Sequence, residues 1–96
     1  VYYLEVPMRL FIVSCDFKND LNIESKITGE LNKHDGVRFK KDAWLLRTEA
    51  TSEDIYLSVL SHLRPETCII IAEVLPEPHY HMPQGITSWI KRNPAV

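Results

Sequence analysis

Residues 9–17, Arg-Leu-Phe-Ile-Val-Ser-Cys-Asp-Phe, constrain the fold more than any other stretch. The run is short, apolar and rich in β-branched and aromatic side chains, which favours a strand over a helix. Both of its faces are oily, because Phe11, Val13 and Cys15 alternate with Leu10 and Ile12. Such a strand belongs in the middle of a sheet with both faces covered. Side chains alternate with period two, so Ser14 and Asp16 follow Leu10 and Ile12 onto one face. Asp16 then stands where strand gives way to loop, an edge where binding groups gather. Two readings stay open for it: a functional carboxylate, or a cap for the following turn or helix.

The remaining chain supplies partners for this strand. Asn19, Asp20 and Asn22 are candidate N-caps for a helix over 22–34, with Ile23, Ile27 and Leu31 on one face. Gly29 weakens that helix unless it permits close packing on the sheet. Asp35-Gly36 reads as its end, with glycine at a left-handed cap. Residues 37–40 alternate apolar and basic, Lys41-Asp42 reads as a turn, and 43–48 form a third strand, giving a hairpin. No Asn-Gly or Asp-Gly fixes the register of that turn. Trp44 and Leu46 share one face of the third strand; Ala43, Leu45 and Arg47 share the other.

Thr51-Ser52-Glu53-Asp54 is a helix start, a hydroxyl cap followed by acids near the positive end of the helix dipole. Ile55, Val59 and Leu63, with Tyr56 and Leu60, make its apolar face, and Pro65 stops it. Residues 68–75 form a fourth strand, apolar on both faces apart from Glu73, and Pro76 and Pro78 break it. In the tail, Thr87 or Ser88 caps a last helical turn carrying Trp89 and Ile90.

Strand, helix, strand, strand, helix, strand is the ferredoxin-like βαββαβ order, an α+β fold. Right-handed crossovers place two helices on one face of a four-stranded antiparallel sheet. The domain spans 8–75. Residues 1–7 are either a leader upstream of Met8 or an extra edge strand, and 76–96 form a C-terminal tail with a short helix that crosses a dimer. Two helices cover one side only, so the surplus apolar surface implies a partner on the open face, most simply a second copy.

Bulk properties narrow the function classes. A chain of 96 residues makes one domain with a thin core. A net charge of −2 argues against broad coating of nucleic acid but leaves room for a local basic patch. Cys15 and Cys68 both lie in apolar runs and read as buried free thiols in a reducing compartment. No apolar run is long enough to span a membrane and no signal peptide is evident, so a cytoplasmic address is expected.

Four short motifs resemble a known family. Phe-Ile-Val-Ser-Cys-Asp (11–16), Ala-Trp-Leu-Leu-Arg-Thr (43–48), Ser-Glu-Asp-Ile (52–55) and Ile-Ile-Ile-Ala-Glu-Val (69–74) look like the small CRISPR-associated Cas-two proteins and, more closely, their stand-alone relatives labelled SinR-family. The resemblance covers residues 8–74 and implies a homodimer whose first-strand acids face each other. In that family such acids hold a divalent ion that supports phosphodiester cleavage, while other members only scaffold nucleic acid. Carried over, Asp16 is the catalytic residue and the one metal ligand per chain, with Mg²⁺ as the cofactor. Mg²⁺ takes carboxylate oxygens, keeps several waters and activates one of them. The chain departs from the family in having Cys15 where an aromatic usually precedes the acid, and it lacks an arginine-rich helical surface.

Three further constellations carry chemistry. Arg38, Lys40, Lys41 and Arg47, interleaved with Phe39 and Trp44, are candidate nucleic-acid contacts; the alternative is that the aromatics are core and the charges a solvated edge. His79 and His81 have metal-ligand spacing on a strand, but two ligands make a weak site. Ser14 lies near Asp16 without a histidine to activate it. Two functions follow: a Cas-two-like homodimer that binds nucleic acid and cleaves it weakly, or a non-catalytic ferredoxin-like regulatory or protein-interaction module.

Overall fold

A computed structural model describes residues 8–93. The elements run β1 (Arg9–Asp16), α1 (Leu21–Leu31), β2 (Asp35–Lys40), β3 (Ala43–Thr48), α2 (Ser52–Leu60), β4 (Cys68–Glu73) and α3 (Gln84–Arg92). The four strands form one antiparallel sheet in the order β2-β3-β1-β4. Each crossover, β1–α1–β2 and β3–α2–β4, spans one intervening strand. This α+β arrangement is consistent with a ferredoxin-like fold to which a third helix has been added.

Period-two alternation sorts the sheet into two layers. Phe11, Val13, Cys15, Trp44 and Leu46 point to one face and pack on Ile23, Ile27 and Leu31 of α1 and on Ile55 and Val59 of α2. Leu10 and Leu45 point to the other, where Trp89 and Ile90 of α3 seal them, with Val37, Phe39, Met82 and Ile86 alongside. Part of the second face, expected to be covered by a partner, is thus covered by α3, while Ile12 and Ile70 on it stay exposed. The tail, expected to cross to another subunit, folds back on its own sheet.

Helix ends follow local chemistry. Asp20 caps α1, its carboxylate accepting from the backbone N–H groups of Asn22 and Ile23. Thr51 and Asp54 form a capping box at the start of α2, as the Thr-Ser-Glu-Asp sequence predicts. By contrast α3 begins after Pro83 with no side-chain cap, and Thr87 instead donates to the Met82 carbonyl. Docking of Trp89 and Ile90 holds α3, which is why its start was misread.

Several boundaries differ from the sequence reading. The first helix ends at Leu31, because Asp35 and Gly36 already belong to β2. Gly36 is not a left-handed cap: a Cβ there would lie 2.6 Å from Leu46 Cδ2 and 2.7 Å from the Leu45 carbonyl. Glycine is needed for close approach to β3. Gly29 has no such duty, since a Cβ there would meet nothing within 4 Å. The second helix stops at Leu60, short of Pro65, and Leu63 packs on the core from the following turn. The β2–β3 register is set with an irregularity between Arg38 and Lys40.

Candidate functional site

Asp16 closes β1, opposite Cys68 of β4. Its side chain lies on the face away from α1 and α2, as alternation from the buried Phe11, Val13 and Cys15 requires. It is solvent-exposed but engaged. Oδ1 accepts the backbone N–H of Lys18 at 2.9 Å, and Oδ2 lies 3.0 Å from Lys18 Nζ. These two contacts, the backbone hydrogen bond first, hold the Asp16 carboxyl below its usual range; the side-chain hydrogen bond to Asp16, then its charge, raises the Lys18 ammonium.

Backbone conformation explains the arrangement. Lys18 and Asn19 both take left-handed φ, 52° and 59°. Neither lysine nor asparagine adopts that region freely, although asparagine tolerates it better. The Asp16 carboxylate offsets the cost by bonding the Lys18 amide, and Asp20 then caps α1. Of the two readings of Asp16, the geometry realises the turn-anchoring one.

Asp16, Lys18, Glu24, Lys40, Lys41 and Asp42 surround a hollow of about 570 Å³. The β2–β3 turn reaches it because the Cys15 N–H donates to the Asp42 carbonyl at 2.9 Å. Lys40 Nζ lies 3.6 Å from Asp42, so lysines and acids alternate around the rim. Arg38 stands behind it. Its guanidinium lies 4.5 Å from the centre of the Trp44 ring, donates to the Lys41 carbonyl and is 3.7 Å from Glu24. Asp16, Lys40, Lys41 and Arg38 are thus gathered at one end of the sheet. Arg47 is not: it sits opposite Leu10 and Asp35, toward the other end.

The aromatics interleaved with these cations are not displayed for stacking. Trp44 is buried in the helix-facing core, edge-on to Phe17 at 6.0 Å, and Phe39 packs in the α3-side cluster. His79 and His81 are exposed between β4 and α3, outside any strand. His34 bonds Thr48, and His62 faces Glu30 at 3.8 Å. Among the described residues no three His, Cys, Asp or Glu side chains are grouped to hold a metal. Asp16 Oδ2 is engaged by the Lys18 ammonium, so a cation bound there would compete with an exposed ion pair.

The cysteines are corrected in part. Cys15 is buried, and desolvation, with the nearby Asp16 charge next, pushes its thiol up to about 11, so it is unreactive. Cys68 is exposed, and both are free. The sequence reading missed Lys18 and Asp42 as members of this rim. Lys18 was the findable one, a lysine two residues beyond the acid in a short polar loop.

No family model matches the chain, and no curated protein matches it significantly.

Proposed function

We propose that this chain is a non-catalytic, ferredoxin-like protein-interaction module, closer to the scaffolding than to the cleaving members of the Cas-two-like proteins it resembles. The observation that carries the reading is an open edge. β4 pairs only with β1, so its outer side has no strand neighbour among the described residues. Ile70 on it is 64% exposed, with Ile12 and Tyr56 among the exposed apolar side chains. Open apolar edges take extended partners through backbone hydrogen bonds. Against paired-acid catalysis stands the Lys18 contact: a metal at Asp16 competes with an ammonium for Oδ2, while Oδ1 is engaged by the loop-forming hydrogen bond.

The test is incubation with single- and double-stranded DNA and RNA, with and without Mg²⁺, for the wild type and Asp16→Asn. No cleavage by either is expected. Mg²⁺-dependent cleavage that disappears in Asp16→Asn would restore the nuclease reading.

Nucleic-acid binding without cleavage has one observation of its own. Lys18, Lys40 and Lys41 converge on one hollow with Arg38 behind them. Under that reading Lys40→Ala and Lys41→Ala each weaken DNA or RNA binding and lower its salt dependence. Equal affinity for wild type and variants, at every salt concentration, removes it.

A further inference from the structure

We propose that the occupant of the β4 edge is the β4 of a second copy, paired antiparallel about a two-fold axis through Ile71. This rests on the interaction-module reading and adds its partner and register. The backbone decides which groups are free. The Val74 N–H donates to the Leu10 carbonyl, and the β1–β4 ladder continues without a shift. Hydrogen-bonded pairs alternate along an antiparallel ladder. Cys68, Ile70 and Ala72 therefore turn their backbone groups toward β1, while Ile69, Ile71 and Glu73 turn theirs outward. The Cys15 N–H bonding the Asp42 carbonyl fixes the same alternation from the other side of β1.

Those outward groups are self-complementary. With Ile71 opposite its mate, Ile69 faces Glu73 of the second copy and every outward N–H and C=O of the strand is paired. A register one step shorter, centred on Ile70, would set Glu73 against Thr67, whose N–H is already donated to the Arg64 carbonyl. Charge is matched as well. Glu73 is the one charged residue of β4 and already lies 3.3 Å from Arg9, so two copies meet without an unbalanced charge. Ile70 comes to lie beside the mate's Ala72. Tyr56 of α2, which shares a hollow with Ile69 and Ile71, covers the seam from the helix side.

The other edge cannot substitute. β2 carries Arg38, Lys40 and an irregular register, the devices that discourage strand addition. Pairing β4 to β4 closes on itself, whereas β4 to β2 would propagate as a fibre. A contact made by two six-residue strands and the side chains beside them falls at the small, transient end of specific interfaces, so a concentration-dependent dimer is expected.

Sedimentation at rising concentration, with Cys68→Ser/Ile71→Cys oxidised in parallel, tests this on the full chain. The expected result is a monomer–dimer equilibrium abolished by Ile70→Lys, with rapid disulfide cross-linking at position 71 and little in Cys68→Ser/Ile70→Cys. Cα atoms directly opposite each other across a ladder fall within disulfide range, and diagonal ones do not. A monomer at all concentrations overturns the proposal, as does a dimer indifferent to Ile70→Lys or one that cross-links at 70 but not at 71. The cleavage assay is a separate readout, so failure of the second-copy inference and failure of the interaction-module reading can be told apart.

Discussion

The two edges of the sheet are built on opposite plans. β2 is charged, irregular in register and fastened inward: Arg38 lies over Trp44, and Gly36 presses against Leu45 and Leu46. β4 is regular, carries one charge and has Ile70 standing in solvent. A sheet needs both edges to be safe from indiscriminate pairing. With one edge guarded by charge and an irregular register and the other bare among the described residues, the bare edge is the one proposed above to take a partner. Substitutions at β2 should therefore cost folding stability, and substitution of Ile70 on β4 should cost association alone.

Trp44→Ala is the harshest way to break the contrast. It empties the core beneath Arg38 and is expected to destabilise the fold by about 3–5 kcal/mol in urea unfolding. Gly36→Ala comes next, because its new methyl meets a backbone carbonyl that cannot move away cheaply. A loss of about 1–3 kcal/mol is expected from the same measurement.

Thr51→Ala removes the hydroxyl cap of α2 and should cost about 1 kcal/mol. The bonds from Thr51, its backbone N–H first, hold the Asp54 carboxyl below its ordinary value, so its contribution is present above the unfolded carboxylate range of about 4. It is lost as pH falls through the lowered folded value. The wild type should thus lose its advantage over Asp54→Asn in acid; a pH-independent gap between those two would contradict the box. Gly29→Ala should stabilise by up to about 1 kcal/mol, since a methyl there enters open space on a helix. The smallest stability effect belongs to β4: Ile70→Lys should change monomer stability by no more than about 0.5 kcal/mol while abolishing self-association.

Sequence legibility followed how local each cause is. β3 was readable to the residue, because Ala43–Thr48 is bounded by a turn and sorted by alternation. The α2 cap was readable because Thr51 and Asp54 are three residues apart. Gly36 was misread because its requirement comes from β3 across the sheet, not from the helix before it. α3 was read as a single turn because it has no cap; its stability comes from Leu10 and Leu45, far away in sequence. That docking also covers Leu10 and Leu45 from within the chain, which no count of apolar residues could reveal. At the candidate site, the face of Asp16 was legible from β1. Its partner was not weighed, although Lys18 lies two residues on.

Residue-resolved amide exchange, measured across a dilution series, tests the bare edge most directly. The expected result is that Ile69, Ile71 and Glu73 are protected at high concentration and exchange fast on dilution, while Ile70 and Ala72 stay slow throughout. Outward amides that exchange fast at every concentration, or that stay slow at every dilution, would contradict pairing of β4 with a second copy.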